Sequence, residues 1–513
     1  MFGCVKSAAI LGIDGYMVQV EADIRTGLPE FDMVGFLASE VKEARERVRT
    51  ALNNSGFDLL PARITVNLSP ADMRKEGNYF DLPIAVAILT AVGILPQEVC
   101  SRFLFVGELS LDGSLRPVDG IISIVSTAKR EEISGCIVPR VNGTEGAVIQ
   151  GVQVYGMDSL SQVVEFLKDP EKFQPFVGEL PDFSGEYFHE TVDFSEINGQ
   201  TTAKRAAVIA ASGMHNLLLI GPPGSGKSMI ARRIPGILPQ LTLEESIEIS
   251  KIYSISGLLR SEKGLVTARP FRAPHHTISA SALIGGGKIP RPGEISLANG
   301  GILFLDELPE FQKSTLEVLR QPLEDKRVVI SRVHGSYTYP TNVMLVSAMN
   351  PCPCGYYPDR SRCRCRLWEV RRYLNHISQP LLDRIDISVE VSGISYKEAA
   401  ADTRQNETSA QIREQVKRAI AMQQKRYRQE PFQFNAQLSS GHVKKYCRLG
   451  SAQQRLMEQV FETMDLSARA YHKILKVART IADLDEAEEI SETHLAEAIG
   501  YRCIDKKYWG NKV

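Results

Sequence analysis

Apolar and polar positions divide the chain into stretches of different period. Met17-Val18-Gln19-Val20-Glu21-Ala22 alternates, which predicts a strand. Val41, Ala44, Val48, Ala51 and Leu52 fall on one helical face, predicting a helix over 39–57 with Ser39 as its N-cap and Gly56 as its stop. Arg63–Leu68 reads as a strand. The apolar run from Leu82 to Pro96 contains Pro83, Thr90 and Gly93; it is too short to cross a membrane and reads as a buried helix. A strand at Phe103–Val106, a helix from Ile121 to Lys129 and a closing strand at Cys136–Pro139 complete an α/β module over 1–170. Residues 171–192 are rich in Pro, Gly, aromatic and acidic residues, as a linker is. Over 193–392, Asn216–Ile220, Gly301–Leu305 and Val343–Ala348 read as buried strands of an α/β core. Residues 393–513 are mainly helical: Ile412, Val416, Ala419 and Ile420 share one side of a helix, and Ile474, Leu475 and Ala478 share a side of another.

Three of these strands run into chemistry. After Ile220 comes Gly221, Pro222, Pro223, Gly224, Ser225, Gly226, Lys227 and Ser228, which fits G-x-x-x-x-G-K-[ST] at every fixed position. Met229–Arg233 then starts a helix. Strand, glycine loop and helix together form a phosphate cradle, because backbone N–H groups turn inward and the helix N-terminus adds its positive end. Lys227 would reach the β- and γ-phosphates of ATP and Ser228 would ligate Mg²⁺. Asp306 and Glu307 end the second strand, where open α/β sheets place ligands. Asp306 suits a Mg²⁺ ligand and Glu307 the base that orients and activates water. Asn350 ends the third strand as an amide that could bond water or the γ-phosphate.

The chain between Lys227 and Asp306 is more than twice the roughly 30 residues a βαβ unit needs. The surplus lies around His275-His276 and Ile284–Gly293, where Lys288 and Arg291 could meet a polyanion or could belong to a solvated hairpin. Residues 327–338 read as a hairpin turning near Gly335, with Arg332 and His334 near its tip. Cys352, Cys354, Cys363 and Cys365 form C-x-C…C-x-C; four thiolates could bind tetrahedral Zn²⁺, although the pairs are closer than usual, and a loop of reduced cysteines is the alternative. Arg384 ends a helix-like segment before a strand. Supplied in trans it would stabilise charge on a γ-phosphate; a local pair with Asp386 is the plainer reading. The basic helices at 411–430 and 467–479 read as solvated faces.

Composition changes the picture in two ways. The 513 residues hold Lys+Arg 60 against Asp+Glu 61, a net charge of −1, so any contact with DNA must come from local patches. The start of the chain lacks the pattern of an export signal, and nine cysteines without one suggest a reducing cytoplasm, with no membrane role.

The stretch Phe105–Val118 resembles the Lon-protease-like module of the S5 domain 2 superfamily. Its active form uses a Ser–Lys dyad, but residues 71–90 contain no Ser, and the lysine position falls at Ile122. A non-proteolytic module is therefore expected, since no hydroxyl and no base are present. Taken with Gly221–Ser228, Gly301–Glu307, Phe271–His276, Pro292–Ala298, Ser347–Pro351, Leu381–Asp386 and Ser467–Arg479, the whole chain resembles the ComM/YifB family of magnesium-chelatase-like AAA+ ATPases. The resemblance implies an AAA+ P-loop core over 193–392 and a C-terminal helical lid over 393–513. It makes Asn350 sensor 1, Arg384 the arginine finger and Arg469 sensor 2, with Arg479 as the fallback. It puts Asp193–Gln200 on the adenine side, and the 280–295 insert and 327–340 hairpin toward a central pore. It also implies a homo-hexameric, ATP-driven DNA motor of the branch-migration helicase type, acting in natural transformation, with Lys288, Arg291 and Arg332 as DNA contacts. An ATP-dependent remodeller of protein partners remains the other reading.

Overall fold

The computed structural model describes residues 1–57, 61–178, 192–259, 264–287, 289–333, 335–393 and 406–510. The N-terminal part is built on a seven-stranded sheet. Across it run Glu30–Val34, Arg63–Ser69, Asp14–Arg25, Phe2–Leu11, Phe103–Phe105, Gly135–Pro139 and Gln153–Met157. Phe2–Leu11 pairs antiparallel with Asp14–Arg25 in the register Val5 opposite Val20, which turns Val5, Val18, Val20 and Ala22 into one core. The helix Asp81–Ala91 is apolar nearly all round, and every one of its residues is buried. It lies so close to the first strand that a Cβ on Gly3 would stand 2.5 Å from the Ala87 carbonyl oxygen.

Two expectations need correction here. Ser39 is the first helical residue rather than the cap; Ala38, whose N–H is taken by the Lys75 carbonyl at 2.9 Å, holds the extended cap position without a side-chain bond. The strand at Gly135–Pro139 does not close the module, because Gln153–Met157 adds a parallel edge beyond it, followed by the helix Leu160–Lys168 with Ser159 as N-cap. The first strand, Phe2–Leu11, carries no clean alternation because both of its faces are covered at its centre.

Phe80, Asp81 and Ile122, near which the Lon-like resemblance would put a Ser–Lys dyad, are all buried. Asp81 receives the Arg47 guanidinium at 2.7 and 2.9 Å and the Leu109 N–H at 3.2 Å. Burial raises its carboxyl to about 6 even though Arg47 pulls the other way. The position thus serves an ion pair between helix Ser39–Asn54 and helix Asp81–Ala91.

The central part carries a five-stranded, all-parallel sheet in the order Phe271–Arg272, Ile302–Leu305, Met344–Met349, Leu217–Ile220 and Ile387–Glu390. Its four long strands are almost wholly buried, as parallel strands between helices must be. Register aligns the strand ends: Ile220 lies beside Met349, and Leu305 beside Ser347. Gly221, Asp306 and Asn350 therefore leave the same edge of the sheet.

Helix Leu243–Ile255, closed by a Thr242–Glu245 capping box, joins this part to the N-terminal sheet. Its Leu243 and Ile247 pack against the N-terminal core, and Lys251 pairs with Asp14 at 3.2 Å. The C-terminal part is helical, with Ser409–Arg426, Ser440–Tyr446, Ser451–Thr463, Ala468–Leu484 and Glu492–Trp509. Ile412, Val416 and Ile420 pack with Ile474, Leu475 and Ala478 in one cluster. The two basic helices are less solvated than expected. Arg426 donates to the buried Asp483 at 3.0 Å, and Arg413 to the Gly236 carbonyl at 2.6 and 2.9 Å. Among the described residues no helix is long and apolar enough to cross a membrane.

Candidate active site

The glycine loop takes its shape from its own backbone. Gly224 and Gly226 take φ of +74° and +91°, a region closed to most side chains, and no atom lies within 4 Å of where either Cβ would stand. The loop is thus an open concavity lined by backbone. Its Ser225 hydroxyl is buried with no hydrogen-bond partner. An orphaned buried hydroxyl beside an open glycine cradle fits a phosphate-bearing ligand. Gln200 steadies the loop from behind, donating to the Ser225 carbonyl at 3.3 Å and the Ser392 carbonyl at 2.6 Å.

Lys227 opens helix Lys227–Arg233 and is buried. Its ammonium donates to the carbonyls of Gly221 and Pro222, both at 2.8 Å, and to Asn350 Oδ1 at 3.2 Å. Burial pushes Lys227 below the ordinary lysine range, and Asp306 and Glu307 offset only part of that. Ser228 Oγ donates to Asp306 Oδ2 at 2.6 Å. A hydroxyl and a carboxylate in contact are the hard oxygen donors Mg²⁺ prefers. Asp306 also accepts the Glu307 N–H at 2.9 Å.

Glu307 has a left-handed backbone, φ +52°, which is costly for a residue with a Cβ and occurs most often where function requires it. That turn swings its carboxylate out of the strand; its side chain is 59 % exposed, facing the His276 ring at 3.5 Å. His276 was legible only as part of a loop. It reaches Glu307 because the Phe271–Arg272 strand pairs beside Ile302–Leu305. Arg272 and Glu294 form a two-armed ion pair at 2.6 and 2.8 Å that ties this edge strand to the insert.

The arginines expected to complete the site stand elsewhere. Arg384 is half-buried, donates to the Pro380 carbonyl at 3.2 Å and pairs with Glu324. It lines a cleft of about 640 Å³ together with Arg469, Lys326, Lys473 and Lys476, and no residue of Gly221–Ser228 lines that cleft. Asp386 does not pair with Arg384. Burial alone would raise its carboxyl, but Lys473, His215 and Lys476 more than offset that and hold it far below the usual carboxylate range. Arg479, the fallback for sensor 2, is buried inside the helical part, where it donates to the carbonyls of Ala487 and Glu488 and pairs with Asp483 at 3.2 Å. It is a packing residue, not a phosphate ligand. Asp193 acts as a cap, accepting the Ser195 N–H at 2.8 Å and the Ser409 N–H at 3.1 Å, so the 193–200 stretch straps the glycine-loop helix to the C-terminal part.

The hairpin Arg327–Arg332/Gly335–Pro340 and the insert touch: Arg332 Nε donates to the Gly287 carbonyl at 3.3 Å, and Tyr339 Oη to the Pro290 carbonyl at 2.9 Å. Arg291, Arg332 and Val333 are exposed there, Val333 by 95 %. Lys288 and His334 lie outside the described residues.

The four cysteine sulfurs converge. Every pair lies within 4.8 Å, with Cys352–Cys354 at 3.4 Å, Cys352–Cys363 at 3.8 Å and Cys354–Cys363 at 3.6 Å.

Comparison with known proteins matches three parts of the chain to family models. The model of magnesium chelatase subunit ChlI matches residues 193–399, a second ChlI model residues 20–142, and the ChlI C-terminal model residues 406–502. The chain is 43% identical over 507 residues to the competence protein ComM of Haemophilus influenzae, covering 98% of this chain and 97% of that one. It is 42% identical to the YifB protein of Escherichia coli, with the same coverage. The magnesium-chelatase 38 kDa subunit of Rhodobacter capsulatus is 25% identical over 227 residues, 41% of this chain and 59% of that one.

Proposed function

The chain belongs to the magnesium-chelatase-like family that contains ComM and YifB, an AAA+ family whose members are ATPases, and on that premise we propose that it is a ring-forming, ATP-hydrolysing DNA motor. One observation carries the hydrolytic half: register brings Lys227, the Ser228–Asp306 pair, Glu307 and Asn350 to one sheet edge around an open glycine cradle. The cradle N–H groups and Lys227 hold the phosphates of ATP. Ser228 and Asp306 hold Mg²⁺, which when bound would neutralise phosphate charge. Asn350 fixes the Lys227 ammonium. Glu307 takes the proton of an attacking water, with the His276 ring against its far oxygen. Arg384 and Arg469, gathered in a separate basic cleft, are offered to the phosphates of a neighbouring subunit, most simply in a hexamer. Zn²⁺ is our assignment for the four thiolates.

The DNA half rests on the contact between hairpin and insert, which presents Arg291 and Arg332 together on a chain of net charge −1. Cations on two linked loops suit phosphate tracking without base readout. The relative named a competence protein fits the same direction, toward branch migration during natural transformation. ATPase of the purified protein is expected to rise on adding forked or single-stranded DNA, and Arg291→Glu with Arg332→Glu to remove the rise while sparing the basal rate. ATPase that ignores DNA, with no binding at low salt, overturns the motor. The distant likeness to a chelatase subunit favours the second reading, a protein remodeller, which predicts a partner set unchanged by DNase.

The lowered Lys227 pKa gives a further expectation. A phosphate beside Lys227 favours its charged form, so ADP binding takes up a proton on the alkaline side. Affinity therefore falls as pH rises through that lowered pKa, sooner than an ordinary lysine would cause. Calorimetry in two buffers of different ionisation enthalpy measures the uptake. Proton-neutral binding across that range contradicts the role given to Lys227.

A further inference from the structure

We propose that the Cys352/Cys354/Cys363/Cys365 cluster is a Zn²⁺ clamp that sets the shape of the neighbouring ATP pocket. The proposal rests on reading Gly221–Ser228 as a nucleotide site.

The geometry already suits a metal. A tetrahedron of ~2.3 Å Zn–S bonds has sulfur–sulfur edges of about 3.8 Å. The separations of 3.4, 3.6 and 3.8 Å, with all four sulfurs inside 4.8 Å, need only small shifts to match it. The Tyr357 N–H points at Cys352 Sγ at 3.4 Å, as a backbone donor to a metal thiolate would. On ligation each thiol releases its proton to solvent, leaving four thiolates around one dication. The surplus negative charge falls on a loop that also carries Arg360, Arg362, Arg364 and Arg366. Arg360 donates to the Cys365 carbonyl at 3.0 Å, and Arg362 lies 4.2 Å over the Tyr356 ring.

The cluster is built into the ATP site from two directions. Cys352 is buried two residues beyond Asn350, whose amide oxygen accepts from Lys227. Gly355, directly after Cys354, takes φ +85° and lies against the glycine loop: a Cβ there would stand 2.4 Å from Pro223 Cδ. On its other side the loop meets the last helix through Tyr357 and Tyr508, 6.3 Å between rings. Metal ligation would hold Asn350 and Gly355 in register with Lys227 and Pro223.

The test uses the full-length, tag-free protein grown with Zn²⁺. One zinc per chain is expected by elemental analysis, and Co²⁺ added to the metal-stripped protein should give the thiolate-to-cobalt charge-transfer band of a four-sulfur site. The double variant Cys354→Ser/Cys365→Ser, chosen because these two cysteines are only partly buried, should lose the zinc and weaken ADP binding about tenfold or more, the usual scale for losing support around a site. Gly355→Ala should keep one zinc yet weaken ADP binding, since its Cβ displaces Pro223. Lys227→Ala should keep its zinc. A wild-type protein without zinc, or serine variants that lose zinc but bind ADP as the wild type does, overturns the proposal. So does a Gly355→Ala protein with unchanged affinity. Zinc held by a wild-type chain that binds no nucleotide overturns the nucleotide reading and the coupling, while the metal site stands on its own count.

Discussion

Arg384→Ala is expected to lower kcat for ATP hydrolysis by about 10³-fold or more, the range found when an arginine finger is removed, with ATP affinity little changed. Arg384 lies with Arg469 in a cleft that the glycine loop does not line, so under the ring reading its guanidinium would serve the phosphates of a neighbouring subunit. Alone it is held by Glu324 and the Pro380 carbonyl, while its own carbonyl accepts from Asn216 Nδ2 at 2.7 Å. Asn216 precedes the strand that leads into the glycine loop, so the finger's backbone is wired to the sheet that carries the subunit's own cradle. The decisive form of the experiment mixes Arg384→Ala with Lys227→Ala. Each variant by itself is expected to be inactive. In a mixed ring, an Arg384→Ala subunit keeps an intact cradle and receives Arg384 from a Lys227→Ala neighbour, so part of the activity should return. Co-purified mixtures that stay inactive contradict a shared site. Arg469→Ala should act in the same direction and should also be rescued by mixing, because it lines the same cleft.

What could be read from the chain alone was whatever is encoded locally. The cradle was legible because its function needs glycines, a lysine and a hydroxyl at fixed spacing, flanked by an apolar run and a helix. Asp306, Glu307 and Asn350 were legible because each ends a buried strand, and polar residues at such ends have few structural reasons to be there. What stayed hidden depends on pairing between distant segments. Glu324 stands sixty positions before Arg384, and nothing in either segment announces the other. His276 meets Glu307 only through the placement of an edge strand two residues long. Arg426 and Arg479 looked like parts of solvated or phosphate-binding faces; they converge on buried Asp483, an acid whose burial no local pattern reveals. Ser39 looked like a cap because serine commonly is one, but the Lys75 carbonyl had already fixed the chain one residue earlier. The C-x-C…C-x-C pattern left two readings open, four thiolates for one Zn²⁺ or a loop of reduced cysteines, and only the folded chain shows the four sulfurs drawn together.

Glu307→Gln should separate binding from turnover. The amide keeps the size and shape of the carboxylate but cannot accept a proton from water, so hydrolysis is expected to fall by roughly 10²- to 10⁴-fold, the range for a lost general base. ATP should still bind, because Ser228 bonds Asp306 and Lys227 bonds Asn350 without using the Glu307 side chain. Asp306 takes only its backbone N–H, which the substitution leaves in place. The left-handed backbone at 307 is the same burden for glutamine as for glutamate, so the fold should be unaffected. The readouts are ATP retained on the protein and phosphate released, measured together. ATP held without release supports the assignment, and rapid release refutes it. His276→Ala should produce a smaller loss of kcat without loss of ATP binding if the ring, 3.5 Å from the Glu307 carboxylate, serves to orient it. If the two losses multiply in the double variant, the residues act independently and the orienting role fails; if the histidine change adds nothing once Glu307 is an amide, they act as one unit.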